Sequence, residues 1–212
     1  MIKQNKKLIL LTSLVTLLPM ILGLCLWNQF PEQIPIHWNV NGEVDSWGSK
    51  IFSVVFLPML LLAIHWFCII VTASDPNHKD IIGKPLYLVL WVCPVMSILV
   101  CSLVYVTALG LPLSVETLIP LVLGGMFIVI GNYLPKCKKN YTIGIKVSWA
   151  LDDEENWNAT HRFAGKIWVI GGAVIMVTGL FGRIVLVFTV TFIMTLIPIL
   201  YSYIFYRRKN QK

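Results

Sequence analysis

Charge is what this chain has little of. Only 13% of its 212 residues are Asp, Glu, Lys or Arg, against about 25% in soluble domains. Hydrophobic residues make up 57%, and mean hydropathy is +0.78. A soluble fold of this size cannot hide so much apolar surface. The composition therefore excludes a soluble domain and implies an integral membrane protein. Acids are scarcest, ten in all, and four of them form one block, Asp152–Glu155. No charged residue falls in the core of an apolar run, where His65 is the only strongly ionisable side chain. Ion-coupled pumps place acid or base relays at that depth, so this absence argues against a coupled transporter. A neutral, hydrogen-bonded role within the bundle is expected for His65.

Cysteine is also sparse. Cys25, Cys68, Cys93 and Cys101 lie in apolar runs and Cys137 in a polar loop. That pattern gives no disulfide framework. The four histidines, His37, His65, His78 and His161, are scattered without ligand spacing. No metal site, cofactor or catalytic residue is expected, since G-x-S-x-G, H-E-x-x-H and nucleotide-binding loops are all missing. The net charge of +7 comes from bases beside apolar runs rather than from a basic, aromatic-studded module, so direct nucleic-acid binding is not expected.

Six apolar runs remain, at residues 8–27, 51–73, 85–109, 118–134, 164–181 and 184–206. Each approaches the roughly 20 residues that a spanning helix needs, and no alternating barrel pattern appears. The expected fold is an all-α polytopic membrane protein of six transmembrane helices, a single integral membrane domain over residues 1–212. Lys3, Lys6 and Lys7 precede the first run, which is too long for a signal-peptide core and reads as an uncleaved span. The fifth run has only fifteen clean residues, Ile167–Phe181. It reads as a helix starting near Thr160 with Arg162 and Lys166 reaching back to the interface. A re-entrant pair with the sixth run is the alternative. Pro19, Pro58, Pro94, Pro120 and Pro198 lie in spans and kink or loosen them. Gly124-Gly125 and Gly171-Gly172 permit close helix approach. Fifteen of the seventeen basic residues fall on one side of this layout, only Lys50 and Arg183 on the other. The positive-inside rule then puts both termini in the cytoplasm.

Two loops carry the chemistry. The outer loop, residues 28–50, alternates Ile34, Ile36 and Trp38 with Pro35 and His37, and offers Asn41-Gly42 as a turn. It reads as a short extracellular hairpin in which Val44 and Trp47 pair across. His37, Trp38, Asn39, Asp45, Trp47 and Lys50 are its candidate recognition residues for a peptide or lipid. The competing reading is a loop whose tryptophans anchor at headgroup level. The inner loop, residues 135–163, lies in the long polar segment of an otherwise mostly apolar chain. Asp152 and Glu155 have capping-box spacing, so a helix is expected from about Asp153 into the fifth span. Trp157, Thr160, His161, Ala164 and Trp168 share one face of it. That face is read first as an amphipathic interfacial surface with tryptophan anchors. The sharper alternative packs Trp157, Thr160 and His161 against Asn140–Trp149 as a cytoplasmic site.

These loops carry a resemblance. The pattern F-P-x-x-I-P-x-H-W-N-x-x-G-x-x-D-x-W-x-x-K, Phe30 to Lys50, resembles the small domain of unknown function that opens the SdpI-type membrane proteins. Asn132, Asn140, Gly144-Ile145, Lys146, Trp149 and Leu151, then Trp157, Thr160-His161-Arg162 and Gly165, resemble the signature of the same family. Asp75-Pro76 fits it as well. The family has Arg in place of Lys146, and Thr-Pro-Trp in place of Val147-Ser148-Trp149. The resemblance implies a bacterial immunity protein that protects its producer from a secreted, membrane-acting peptide toxin. It also implies a possible receptor role, in which a small winged-helix repressor is held at the membrane. The candidate cytoplasmic residues are then Asn132, Asn140, Gly144, Lys146, Trp149, Trp157, Thr160, His161, Arg162 and Gly165. Two other classes stay open, a peptide or small-molecule exporter and a membrane-embedded enzyme. Gradient-dependent flux would mark the first, and cleaved toxin or modified lipid the second.

Overall fold

The computed structural model describes residues 1–211. Among these residues, six helices are long and apolar enough to cross a membrane. They are α1 (Lys6–Cys25), α2 (Leu57–Ala73), α3 (Lys84–Ala108), α4 (Val115–Tyr133), α6 (Glu154–Leu180) and α7 (Ile184–Asn210). A short α5 (Ser148–Leu151) precedes α6, and a hairpin of β1 (Gln33–Trp38) and β2 (Val44–Ser49) separates α1 from α2. The chain forms two compact units, Met1–Ala73 with Tyr87–Val115, and Ser74–Leu86 with Glu116–Lys212.

In the first unit, buried hydroxyls and one imidazole tie three apolar helices together. Thr12 and Thr16 lie four apart on α1, both fully buried. The Thr12 hydroxyl donates to the Ile9 carbonyl at 3.0 Å. It therefore accepts from Nε2 of His65, also at 3.0 Å. Thr16 donates back to the Thr12 carbonyl at 2.8 Å, and Ser97 of α3 donates to the Thr16 carbonyl at 2.7 Å. His65 is thus hydrogen-bonded within the bundle. Gly23 marks the tightest approach, since a Cβ there would lie 2.7 Å from the Tyr105 hydroxyl and 2.8 Å from Val54 Cγ1. Pro58 has a defined cost. It cannot donate to the Val54 carbonyl, and its ring crowds that carbonyl. The chain widens into a π-helical turn, Phe52–Phe56, immediately upstream.

In the second unit, α4 and α6 cross on a ladder of residues without bulk. Gly165, Gly172 and Gly179, seven apart on α6, meet Gly131, Gly124 and Pro120 of α4. A Cβ on Gly172 would lie 2.5 Å from the Gly124 carbonyl oxygen, and one on Gly165 would lie 2.7 Å from that of Gly131. The two adjacent glycines expected to act together face different neighbours. Gly172 meets α4, whereas Gly171 meets the Met194 side chain of α7. Gly125 has open space around it.

The α6–α7 connection is a tight turn in which Gly182 takes φ 63°. Both helices have 27 residues, about 40 Å at 1.5 Å per residue. That length removes the shortness that motivated a re-entrant pair. α6 begins at Glu154, within one residue of the helix start expected near Asp153 and ten residues before the expected span bound at 164; its first turns are buried against the inner loop. Its cap also differs from expectation. The N-cap is Asp153, not Asp152, and its side chain accepts from the Glu155 amide at 3.0 Å. The offset of one residue turns the expected capping box into a two-residue Asx cap. Lys209 of α7 then bridges Asp153 at 2.8 Å and Glu155 at 2.9 Å.

Candidate functional site

The outer hairpin sits on the first unit by Phe30 and Ile34, which join Val54, Cys101, Val104 and Tyr105 in one core. Its turn is not a two-residue Asn-Gly turn. Trp38 pairs with Val44, which leaves a five-residue loop built around Asn39. The Asn39 side chain accepts from the amides of Asn41 and Glu43, at 2.9 and 3.0 Å, and Gly42 takes φ 75°. An Asx residue that satisfies two amides stabilises the longer loop over the tight turn. The pairing slips twice, passing over Ile36 on one strand and Asp45 on the other. Gly48 makes room for Ile36, since a Cβ there would lie 2.9 Å from Ile36 Cγ2.

Of the six outer candidates, His37, Asp45 and Trp47 form the solvent face. His37 Nδ1 meets Asp45 Oδ1 at 2.5 Å, with both side chains well exposed. Trp47 is 55% exposed, too open to be a core residue. Trp38 packs against the unit's core, and Asn39 serves the turn. Lys50 does not belong to the exposed face. It is buried, bridged to Glu32 at 2.9 Å and placed over the Trp27 ring at 5.2 Å. Its stem is covered by the hairpin base, so its contribution there is structural.

The inner site is a polar knot within the second unit. Asp75 is 4% exposed. Its Oδ1 accepts from the Asn77 amide at 2.8 Å. Its Oδ2 accepts from the Tyr141 amide at 2.8 Å and the Thr142 hydroxyl at 2.6 Å. Asn140 orders the following turn by accepting from the amides of Thr142 and Ile143, at 2.9 and 2.6 Å. Asn77 donates to the Lys139 carbonyl at 3.2 Å. Two short side chains thus replace the ladder bonds that an irregular loop lacks.

Helix α6 closes the knot from the other side. Trp157 is fully buried and its indole donates to the Cys137 carbonyl at 2.9 Å. His161 stacks on it at 4.0 Å between ring centroids. His161 Nδ1 donates to the Trp157 carbonyl at 2.8 Å, and Nε2 accepts from the Ile145 amide at 3.0 Å. That pair of bonds requires the neutral Nδ1–H tautomer, since a proton on Nε2 would point at another N–H. Gly144 lies against the ring with φ 117°, and a Cβ there would collide with His161 Nε2. Neither the φ nor the space admits another residue. The interfacial reading of this helix face therefore fails for Trp157, Thr160, His161 and Ala164, all buried. The loop Cys137–Ile145 covers Trp157 and His161, so these rings do not anchor in headgroups.

A second cluster adjoins it. Asn156 Oδ1 accepts from the hydroxyls of Thr160 at 2.9 Å and Ser202 at 2.8 Å. Its amide donates to the Ser202 carbonyl at 3.1 Å. The Trp149 indole donates to the Ser202 hydroxyl at 3.0 Å. The sequence reading missed Asn156, Ser202 and Asn77. The Asn156–Thr160 spacing of four was a usable signal. Ser202 gave none, since a serine near a helix end is commonplace. Burial pushes the Cys137 thiol up to about 11, which leaves it unreactive at neutral pH.

The remaining candidates stand apart from the knot. Lys146 is exposed. Asn132, Arg162 and Gly165 border a cleft between α4, α6 and α7. Among the described residues, no group of three or more His, Cys, Asp or Glu is placed to hold a metal.

The comparisons with known proteins fall on these two loops. The SdpI/YfhL protein family matches residues 136–202, which takes in the whole α6 face of the knot. A second family, a domain of unknown function (DUF1648), matches residues 14–62, which takes in the hairpin. A relative over nearly the full chain is immunity protein SdpI of Bacillus subtilis (strain 168). It is 26% identical over 208 residues, covering 95% of this chain and 97% of that protein. The chain is similar to the SdpI/YfhL family over its inner loop and last two helices. No solved structure matches it. With six apolar helices among the described residues and these similarities, it is a multi-pass bacterial membrane protein.

Proposed function

We propose that this chain is a membrane immunity protein, protecting the bacterium that makes it from a secreted, membrane-active peptide toxin. The observation that carries the reading is end-to-end similarity to a protein named for immunity, with both loops inside the matched segments. The role is non-enzymatic, with the exposed hairpin face of His37, Asp45 and Trp47 meeting the toxin outside. A rigid aromatic beside an ion-pairing set suits a peptide epitope. Fifteen basic residues mark the opposite side as cytoplasmic. There the knot around Asp75, Asn140, Trp157 and His161 gives the second unit a fixed inner surface. That surface is the candidate contact for a small winged-helix repressor, with exposed Lys146 as its accessible basic group.

The test is expression of the chain alone in a toxin-sensitive cell. Survival against the producing strain's secreted toxin should rise with membrane level of the protein. His37→Ala combined with Trp47→Ala should lower protection at unchanged membrane level. No gain in survival from the unaltered chain would overturn the immunity reading. Unchanged protection by the double variant would remove the hairpin from it.

A further inference from the structure

The cleft bordered by α4, α6 and α7 in the second unit is not used by the knot. It has a volume of about 720 Å³. Its rim carries two cations, Arg162 and Lys166, one helical turn apart on α6. Among the described residues, no carboxylate lies within ion-pairing distance of either. Its wall below them is apolar. Phe163 stacks on Tyr201 at 4.3 Å and 18°, and Val169 and Ile170 continue the wall along α6. Ile170 is 63% exposed, so the wall opens sideways rather than being filled by protein. Gly131 and Gly165 of the lining face each other across the α4–α6 contact, where a Cβ on either would lie within 2.9 Å of the other's carbonyl oxygen.

The depth fits a lipid. Arg162 to Ile170 spans about 12 Å of helix, from the start of the apolar stretch of α6 inward. Basic pockets between spanning helices at this level suit acidic headgroups. The planar fork of Arg162 suits a phosphate, and Lys166 adds a second positive charge. A soluble anion would leave the Phe163–Ile170 wall uncovered. A zwitterionic lipid brings a cation of its own, which would add to the two already on the rim.

We propose that this cleft is a binding site for one anionic phospholipid. Its phosphate lies between Arg162 and Lys166, and an acyl chain lies along Phe163, Val169 and Ile170. The occupant braces α4 against α6 below the knot.

The full chain is purified in mild detergent and titrated with phosphatidylglycerol or phosphatidylcholine, and retained lipid is counted by native mass spectrometry. One phosphatidylglycerol should be retained in preference to phosphatidylcholine. R162Q/K166Q should weaken retention roughly thirtyfold, taking about 1 kcal/mol for each basic group. K6Q/K7Q removes two charges from another part of the chain and should leave retention unchanged. An equal loss in K6Q/K7Q would show general attraction to charge and overturn the site. So would unchanged retention in R162Q/K166Q. Ile170→Glu, with both cations kept, should also weaken retention, and no effect would overturn the acyl-chain wall. Displacement of the lipid by inorganic phosphate at equal concentration would do the same. Thermal midpoints in lipid-free detergent should match for all variants, since these side chains are exposed or line open space. A lowered midpoint for R162Q/K166Q without added lipid would show that the pair braces the fold directly, against the proposal.

Discussion

Removing the carboxylate of Asp75 should loosen the inner loop as a unit. The side chain holds three donors, the amides of Asn77 and Tyr141 and the Thr142 hydroxyl. A buried donor left without a partner costs about 1–3 kcal/mol. The Thr142 hydroxyl can turn to water, so it falls below that range. The two amides cannot turn, and their partial exposure puts them at its low end. Asp75→Ala should therefore cost about 3 kcal/mol. Asp75→Asn is milder. Its oxygen can keep the Oδ2 position and two of the donors, and the misplaced amide loses only Asn77, at about 1–1.5 kcal/mol. Reversible unfolding in mixed detergent micelles gives the totals. Hydrogen exchange at Tyr141 and Ile143 reports whether the loop opened. Asp75→Ala with Thr142→Val closes a double-mutant cycle, which should show about 1 kcal/mol of coupling. Asp75→Ala within 0.5 kcal/mol of the parent, with Tyr141 protection intact, would refute the reasoning.

Adjacent glycines should respond in opposite ways. Gly124→Ala puts a Cβ 2.5 Å from the Gly172 carbonyl and should cost about 1–3 kcal/mol by forcing α4 from α6. Gly125→Ala meets nothing within 4 Å and should be neutral or slightly stabilising in the same unfolding assay. Asn156→Ala breaks four bonds to Thr160, Ser202 and Trp149. At about 0.6 kcal/mol per interhelical bond it should cost about 2 kcal/mol, and Trp149→Phe about a third of that. The Lys209 bridge, followed by the Glu155 amide, holds the Asp153 carboxyl below its usual range. A depressed carboxylate adds stability above its unfolded pKa, lost as pH falls through the folded value. The bridge should therefore weaken only below about pH 4, and Lys209→Gln should reduce that acid sensitivity in an unfolding titration, leaving the part due to the Glu155 amide.

The sequence by itself determined the membrane class, six helices and the hairpin. These follow from run length, the near-absence of charge and a period of two, all properties of neighbours along the chain. It also marked Asn140, Gly144, Trp157 and His161, although the spacing of Trp157 and His161 read first as an interfacial helix face. Only the tertiary structure decided between those readings. Whether Trp157 meets headgroups or Cys137 depends on where a loop twenty residues upstream comes to rest, and local periodicity carries no such information. The same holds for Lys50, whose charge suggested exposure until Glu32 and Trp27 were found around it. Asn77, Asn156 and Ser202 stayed invisible because common polar residues gain meaning only from partners far away in sequence. Gly124 and Gly125 look alike in the chain. One turn of the helix, about 100° per residue, aims the first at α6 and leaves the second in open space.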